Sequence, residues 1–246
     1  MMRPTRIDVT LDFHSETPPG KDADSVSPTL RAYHRILWSK TLASGGALQL
    51  EMPTSRSEGY LINTYPDSTV AHFGSDAITH SYSTWTRPTG LKDAVAALDE
   101  RERKRYLFPP YTIASGMIWP VRFADKPTIN QARGTRHQIA DRIDLTLECI
   151  RRHYDGGQDS PLADVLTAYS DFFALFSGFA EFVEFFHFQD LVEDNGERIT
   201  FFLPLDDFAR HGAPVSREEY ITYREASLAF IDARGARIEA WSLSRQ

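Results

Sequence analysis

The sequence predicts an α+β fold in which an early antiparallel sheet is packed by mostly C-terminal helices. Residues 1–125 are dominated by short apolar runs between turn residues, which is typical of strands. Residues 126–246 are dominated by longer segments whose apolar residues recur every three or four positions, which is typical of helices. Runs of strands followed by runs of helices favour this class. Because no repeat or long linker interrupts the chain, we predict one domain over residues 1–246.

The predicted strands share alternating or short apolar patterns that end at Gly, Pro, Asn, Asp or Ser. They cover residues 6–13, 47–52, 59–65, 68–73 and 111–122. Between the last two, residues 91–106 read LKDAVAALDERERKRY and predict a surface helix that ends before Pro109 and Pro110. Late in the chain, residues 199–204 predict a further strand, and residues 179–192 fit either a helix or a strand.

The helices have recognisable starts. Ser27 followed by Pro28 supplies a capping oxygen and a fixed φ at the first helical position. The apolar face that follows holds Leu30, Tyr33, His34, Leu37 and Trp38. Later helices are predicted over residues 138–154, from Ser160 and Pro161 onwards, and over residues 217–232 before Gly235.

Composition favours an intracellular protein. The net charge of −7 argues against a protein that coats nucleic acid non-specifically, because such binding depends on neutralising phosphates. Cys149 is the single cysteine, so no intramolecular disulfide can form, which suits a reducing cytoplasm. No signal-peptide core and no apolar run of about 18 residues is found, so no membrane association is expected. Homo-oligomer formation stays open.

The segment 17–40, TPPGKDADSVSPTLRAYHRILWSK, holds the first candidate site. Lys21 follows a glycine, but a phosphate-binding P-loop would need a hydroxyl residue where Asp22 stands. Asp22 and Asp24 are candidates for a catalytic base or a metal ligand, and His34 is a candidate general acid or base. The alternative is a helix entry whose aspartates accept backbone N–H groups and whose histidine belongs to the core.

A second candidate site surrounds the start of the helix predicted at residue 138. Arg133, Arg136 and Arg142 lie close together in sequence, and arginines near a helix start favour an anion. The alternative is that Asp141 and Asp144 neutralise these arginines.

The remaining chemistry-bearing residues give weaker signals. The histidines form no metal-binding signature and no cofactor is identified. Cys149 lies on a predicted helix and is expected to be a buried structural thiol. Phenylalanines cluster between residues 172 and 188, where they form either core packing or an exposed surface for an oligomer or partner. They are Phe172, Phe173, Phe176, Phe179, Phe182, Phe185, Phe186 and Phe188.

The chain resembles a family of bacterial proteins of unknown function. The resembling blocks are the segment 17–40 already quoted, KPTINQARGTRHQIADRIDLTLECIRRHYDGGQDSPL (126–162), YSDFFALFSGF (169–179) and FFLPLDDF (201–208). Because they are spread over most of the chain, the resemblance implies a single intact intracellular unit. It implies no activity, cofactor or catalytic residue.

Two functional hypotheses follow. The first is an enzyme or binding protein for a small anionic, nucleotide-like ligand. Its residues are Arg133, Arg136 and Arg142 around the anion, Lys21 and His34 approaching it, and Asp22 or Asp24 as base or metal ligand. It predicts that residues 17–40 and 130–144 meet at one concave surface. The second is a non-catalytic interaction protein that uses the aromatic cluster, and it predicts exposed phenylalanines and no converging polar pocket.

Overall fold

The computed structural model describes residues 6–42, 45–53, 59–83, 85, 89–121, 127–193 and 196–245. It has the predicted α+β architecture, with a three-stranded antiparallel sheet early in the chain and mostly helices after it. The helices are α1 (Ala23–Val26), α2 (Pro28–Trp38), α3 (Thr89–Ala96), α4 (Glu100–Tyr106), α5 (Ile129–Thr135), α6 (Ile143–Tyr154), α7 (Ala163–Ala168), α8 (Ser170–Phe173), α9 (Phe179–Phe185) and α10 (Arg217–Leu243). The strands are β1 (Leu61–Thr64), β2 (Val70–Ala77), β3 (Gly116–Val121), β4 (Val192–Glu193) and β5 (Arg198–Ile199).

The early sheet has the order β1-β2-β3, with β2 in the centre. In its register Leu61 pairs with Phe73, and Gly74 pairs with Trp119. The strand predictions at 59–65, 68–73 and 111–122 are therefore confirmed, although β2 runs on to Ala77, β3 begins only at Gly116 and residue 122 lies outside the described residues. This extension of β2 matters for the site, because α1 packs against it.

The strand predicted over residues 6–13 is wrong. A 3-10 turn begins at Phe13, and the N–H of Ile7 donates to the Ser242 hydroxyl of α10 at 3.2 Å. Residues 47–52 likewise form isolated bridges and no regular strand. An alternating pattern becomes a strand only where a neighbouring strand supplies hydrogen bonds, and the described chain pairs none with residues 6–13.

The entry into α2 is confirmed. The Ser27 hydroxyl oxygen accepts a hydrogen bond from the N–H of Leu30 at 3.0 Å, and Pro28 occupies the first turn. All five side chains predicted on the apolar face are buried, including that of His34. The face packs inward because its spacing of three and four residues aligns these side chains along one side of the helix.

Two other helices have different bounds from those predicted. The segment 91–106 is divided into α3 and α4, because Asp99 caps α4 and interrupts the first helix. The segment 138–154 becomes helical only with α6, because Ala140 and Asp141 adopt left-handed φ values of 48° and 60°.

The last helix is longer than predicted. α10 continues through Gly235 because one side of the helix stays buried along its length. The buried side chains of that stripe are Tyr220, Tyr223, Arg224, Ser227, Phe230, Arg234 and Ile238. The strand predicted over residues 199–204 is limited to the short pairing of β5 with β4, and the ambiguous segment 179–192 is mainly helix α9.

The phenylalanine cluster belongs to the core. All eight side chains are buried, and their rings pack edge to face, tilted or stacked against neighbouring aromatic rings, which include Trp38, Tyr154 and Phe230. Of the two alternatives, core packing is therefore the one found, and the exposed phenylalanines that the interaction-protein hypothesis requires are not, because helices α8 and α9 turn these rings inward. Among the described residues, no helix is both long enough and apolar enough to cross a bilayer.

Candidate functional site

Helix α1 places Asp24 against the sheet. Asp22 caps this helix, and its Oδ1 accepts the N–H of Asp24 at 3.1 Å. The Asp24 carboxylate then meets two hydroxyl groups: the Tyr111 hydroxyl donates to Oδ1 at 2.7 Å, and the Ser75 hydroxyl of β2 donates to the same oxygen. The alternative in which the aspartates accept backbone N–H groups is therefore found for Asp22, whereas Asp24 accepts two side-chain hydroxyl groups.

The two oxygens of Asp24 differ in their surroundings. Both hydroxyl donors reach Oδ1, and no hydrogen bond from a described residue reaches Oδ2. Burial raises the pKa of Asp24 from its ordinary value of 3.8 to about 6, although the hydrogen bonds from Ser75 and Tyr111 act in the opposite direction. A carboxyl group with this pKa exchanges its proton close to neutral pH.

A hydrogen-bonded chain lies behind Asp24. The Trp38 indole N–H donates to Nδ1 of His34 at 2.9 Å, and Nε2 of His34 lies 3.0 Å from the Ser75 hydroxyl. Because an indole N–H can only donate, the proton of the neutral His34 ring must be on Nε2. Nε2 therefore donates to Ser75, and Ser75 donates to Asp24.

His34 stays neutral in this arrangement. Complete burial, together with the positive charge of Arg234, lowers its pKa to about 3. Close packing also fixes its ring, since a Cβ atom at Gly116 would lie 3.3 Å from two ring atoms of His34 and 3.4 Å from the Tyr111 hydroxyl. A side chain at position 116 would thus disturb both His34 and Tyr111.

Asp24 lines a cavity of about 540 Å³. The wall of this main cavity is formed by the first loop and α1, by the end of β2 and the residues after it, by residues 107–111 and by α10. Its polar lining includes His14, Lys21, His80 and Arg224. The main cavity thus contains the carboxyl groups of Asp12, Asp22 and Asp24 together with several cationic or hydrogen-bonding side chains.

Arg224 is the unusual member of this lining. It is 1% exposed and its Nε donates to the Tyr106 carbonyl at 3.0 Å. Nη1 donates to the His80 carbonyl at 3.4 Å and to the Ser227 hydroxyl at 3.3 Å. All of these partners are neutral, and no carboxylate of the described chain forms an ion pair with Arg224. A buried charge is costly unless it is paired, so this guanidinium favours an anion in the cavity.

Arg234 is a useful contrast on the same helix. It too is fully buried without a carboxylate partner in the described structure, and burial lowers its pKa to about 9. Its Nη1 donates to the carbonyls of Ala114 at 2.6 Å and Gly116 at 2.9 Å. Arg234 does not line the main cavity, and it supports the backbone at the start of β3, whereas Arg224 faces a space that a ligand can fill.

A second cavity of about 470 Å³ lies on the other side of α1. It shares Asp22 and Asp24 with the main cavity, and its lining includes Arg31 and Tyr60. The Tyr60 hydroxyl is buried and has no described partner with hydrogen-bond geometry, although Ser75 and Asp24 both influence its pKa, which burial raises far above the ordinary value. Asp24 thus lies between two spaces.

The structure brings together only part of the predicted site. Lys21, Asp22 and Asp24 line the main cavity, and His34 lies behind it and reaches Asp24 through Ser75. The described lining includes no residue from 130–144, so the prediction that this segment and residues 17–40 form one concave surface is wrong.

The three predicted anion-binding arginines are occupied by carboxylates. Arg133 pairs with Asp76 and Asp141, Arg136 binds both oxygens of Asp164, and Arg142 pairs with Asp144. The alternative given by the sequence, neutralisation by Asp141 and Asp144, is therefore the arrangement found for Arg133 and Arg142. Arg133 and Arg142 are also buried, which closes them to a ligand.

Sequence reasoning missed Ser75, Tyr111 and Arg224. Ser75 and Tyr111 carry no recognisable motif, because only the packing of α1 on the sheet brings them to Asp24. Arg224 did carry a signal. It lies four residues after Tyr220 and three before Ser227, within the buried stripe of α10. A charged residue in phase with such a stripe indicates a buried, specifically partnered group.

In the described ranges, no group of three or more His, Cys, Asp or Glu residues is arranged to hold a metal ion.

A family model, described as a family of unknown function (DUF6994), matches residues 7–238 of the chain. Comparison with curated proteins and with solved structures finds no significant match.

Proposed function

The chain belongs to this family of unknown function (DUF6994), and from the main cavity we propose that it is an enzyme acting on a small anionic substrate by proton transfer. The observation that carries the proposal is one shared space with two complementary groups. Arg224 supplies a buried positive charge without a carboxylate, and Asp24 supplies a carboxyl group that titrates near pH 6.

Arg224 is the proposed anion anchor. Its Nε and Nη1 are already held by neutral oxygens, so the guanidinium is fixed before a ligand arrives. A preorganised guanidinium binds carboxylates and phosphates strongly because no side-chain freedom is lost on binding. Lys21 lies on the exposed rim of the same cavity and adds a second positive charge that attracts the anion.

Asp24 is the proposed general acid or base. Its Oδ1 is held by Tyr111 and Ser75, which directs Oδ2 to act on the ligand. An anion bound in the cavity raises the pKa of Asp24 further, because two neighbouring negative charges repel. Anion binding therefore favours the protonated form of Asp24, which then acts first as an acid. His34, Ser75 and Tyr111 are positioning residues.

The anion anchor is tested by titrating the protein with sulfate and inorganic phosphate, using calorimetry and thermal shift. Both anions are expected to stabilise the wild-type protein as their concentration exceeds Kd. Arg224→Gln should weaken binding at least about ten-fold, because a hydrogen bond to a charged group contributes roughly 1.5–3 kcal/mol. Arg224→Lys keeps the charge and should give an intermediate affinity.

The matched control is Arg237→Gln. Arg237 is an arginine of the same helix, but it is exposed and pairs with Asp190 at 2.7 Å. This variant should bind both anions as the wild type does. Equal anion binding by the wild type and by folded Arg224→Lys and Arg224→Gln variants would contradict the proposal.

The catalytic part is tested with a panel of small phosphate esters and carboxylic acids, followed by NMR for product formation. Asp24→Asn should retain anion binding and lose turnover, since an amide cannot exchange a proton at this pH. Turnover by Asp24→Asn at the wild-type rate would show that Asp24 is not the acid or base.

A further inference from the structure

The main cavity has an apolar wall that an anion alone does not use. Leu107, Phe108, Pro109 and Pro110 are consecutive in sequence and all line it. Leu107 is buried, whereas Phe108 is 73% exposed. A single exposed phenylalanine needs no explanation on an ordinary surface. Here the exposed ring borders the same space as the buried guanidinium of Arg224.

The backbone that carries Phe108 is held on both sides. The N–H of Leu107 donates to the Arg103 carbonyl of α4 at 3.0 Å. The N–H of Tyr111 donates to Oδ1 of Asp12 at 3.0 Å. Between these anchors, two prolines restrict φ. Phe108 is therefore presented on a stiff segment, which lowers the entropy cost of using its ring in binding.

The size of the main cavity also calls for more than a simple anion. A volume of about 540 Å³ lies within the usual range of roughly 300–1,000 Å³ for pockets that enclose organic ligands. A sulfate or phosphate ion at Arg224 would leave most of the space unfilled. Because Leu107, Phe108, Pro109 and Pro110 also line this cavity, the rest of the ligand is expected to be apolar on at least one face.

We infer that the substrate is an organic anion that carries a planar aromatic ring, as a nucleotide does, with its anionic group on Arg224 and its ring on Phe108. This inference rests on the proposed function and adds the substrate class. A flat ring matches the face of phenylalanine better than an aliphatic group does, and aromatic pairs gain free energy beyond that of burial alone. Bases stack on aromatic side chains in the same way.

The test compares three probes that share one anionic group: inorganic phosphate, cyclohexyl phosphate and phenyl phosphate. Calorimetric titration at pH 7.5 should give the tightest binding for phenyl phosphate, about five-fold tighter than for cyclohexyl phosphate. Phe108→Leu keeps an apolar side chain and removes the ring. This variant should lower the affinity for phenyl phosphate to that for cyclohexyl phosphate and leave the affinity for inorganic phosphate unchanged.

Two results would overturn the inference, and they differ in what else they remove. If the wild type binds all three phosphates equally, or if Phe108→Leu leaves the preference intact, the aromatic substrate class is wrong while the anion anchor stands. If none of the three phosphates binds to the wild type, the proposed function is wrong as well.

Discussion

Replacing Asp24 by asparagine should make the protein more stable at neutral pH and inactive. The amide keeps an oxygen that accepts the hydrogen bonds of Tyr111 and Ser75, so the geometry around the side chain is preserved. The substitution removes the negative charge, which the wild-type protein carries at a buried position above pH 6. A residue that lowers the stability of the folded state is expected where it serves function.

The magnitude follows from the pKa. In the folded protein the pKa of Asp24 is about 6, against an ordinary value of 3.8. Below pH 4 both the folded and the unfolded chain hold the proton. Between pH 4 and 6 the unfolded chain releases it first, so the free energy of unfolding falls as pH rises. Two pKa units at 1.36 kcal/mol each give a loss of about 3 kcal/mol at neutral pH, which asparagine avoids.

The assay is urea denaturation of the wild type and Asp24→Asn at pH 4 and pH 7.5. The free energies of unfolding should nearly agree at pH 4, and the variant should be more stable by up to about 3 kcal/mol at pH 7.5. Asp164→Asn is the control of opposite sign, because the hydrogen bond with Arg136 lowers the pKa of Asp164. It should lose less than about 1 kcal/mol at pH 7.5, since that ion pair is largely exposed.

A stability difference between Asp24→Asn and the wild type that is the same at pH 4 and pH 7.5 would contradict this prediction. It would mean that burial does not raise the pKa of Asp24. A curve that is steeper in urea for one protein would point to a change in the unfolded chain, and the comparison then has to use the extrapolated free energies.

Three further predictions follow from the same structure. Trp38→Phe removes the N–H donor to Nδ1 of His34 and leaves a buried acceptor unpaired. The free energy of unfolding, measured by urea denaturation, should fall by about 1–3 kcal/mol. An unchanged free energy of unfolding would contradict this. Cys149 is buried, and burial raises its pKa to about 12. Iodoacetamide should therefore label the protein in urea but not the native protein at pH 7.5. Rapid labelling of the native protein would contradict this, because it would show an accessible thiolate. Sulfate should bind the wild type more tightly at pH 5.5 than at pH 7.5, because protonation of Asp24 removes a nearby negative charge. In calorimetric titrations, the sulfate affinity of Asp24→Asn should depend less on pH. An equally strong pH dependence in the variant would exclude Asp24 as its source.

Local signals predicted the early helix well. Ser27 and Pro28 form a start whose hydrogen bond depends on neighbouring residues alone, and the spacing of the apolar face fixes which side is buried. Residues 6–13 show the opposite case. Their alternation resembles a strand, but a strand depends on a distant partner that the sequence pattern does not reveal.

The candidate site could be predicted only in part for the same reason. Lys21, Asp22 and Asp24 are close in sequence and stay together in the main cavity. Arg133 and Arg142 attracted attention because of their density, but carboxylates close by in the fold satisfy them. Density of charge in the sequence therefore indicated internal ion pairs here.

The residues that complete the site come from distant parts of the chain. Ser75 and Tyr111 lie 51 and 87 positions from Asp24, so only the tertiary fold brings their hydroxyl groups to its carboxylate. Arg224 was predictable in principle from the buried stripe of α10. Its role was not, because the absence of a nearby carboxylate among the described residues is a property of the folded structure.

The most direct test of the account is an NMR titration of the Asp24 side-chain carboxyl carbon in protein labelled with ¹³C-aspartate. The resonance is assigned by its loss in Asp24→Asn, and its midpoint is measured with and without sulfate. We expect a midpoint near pH 6 that moves to higher pH when sulfate binds at Arg224. A midpoint near the ordinary value of 3.8, or one that saturating sulfate leaves unchanged, would contradict the claim that Arg224 and Asp24 act on one anionic ligand.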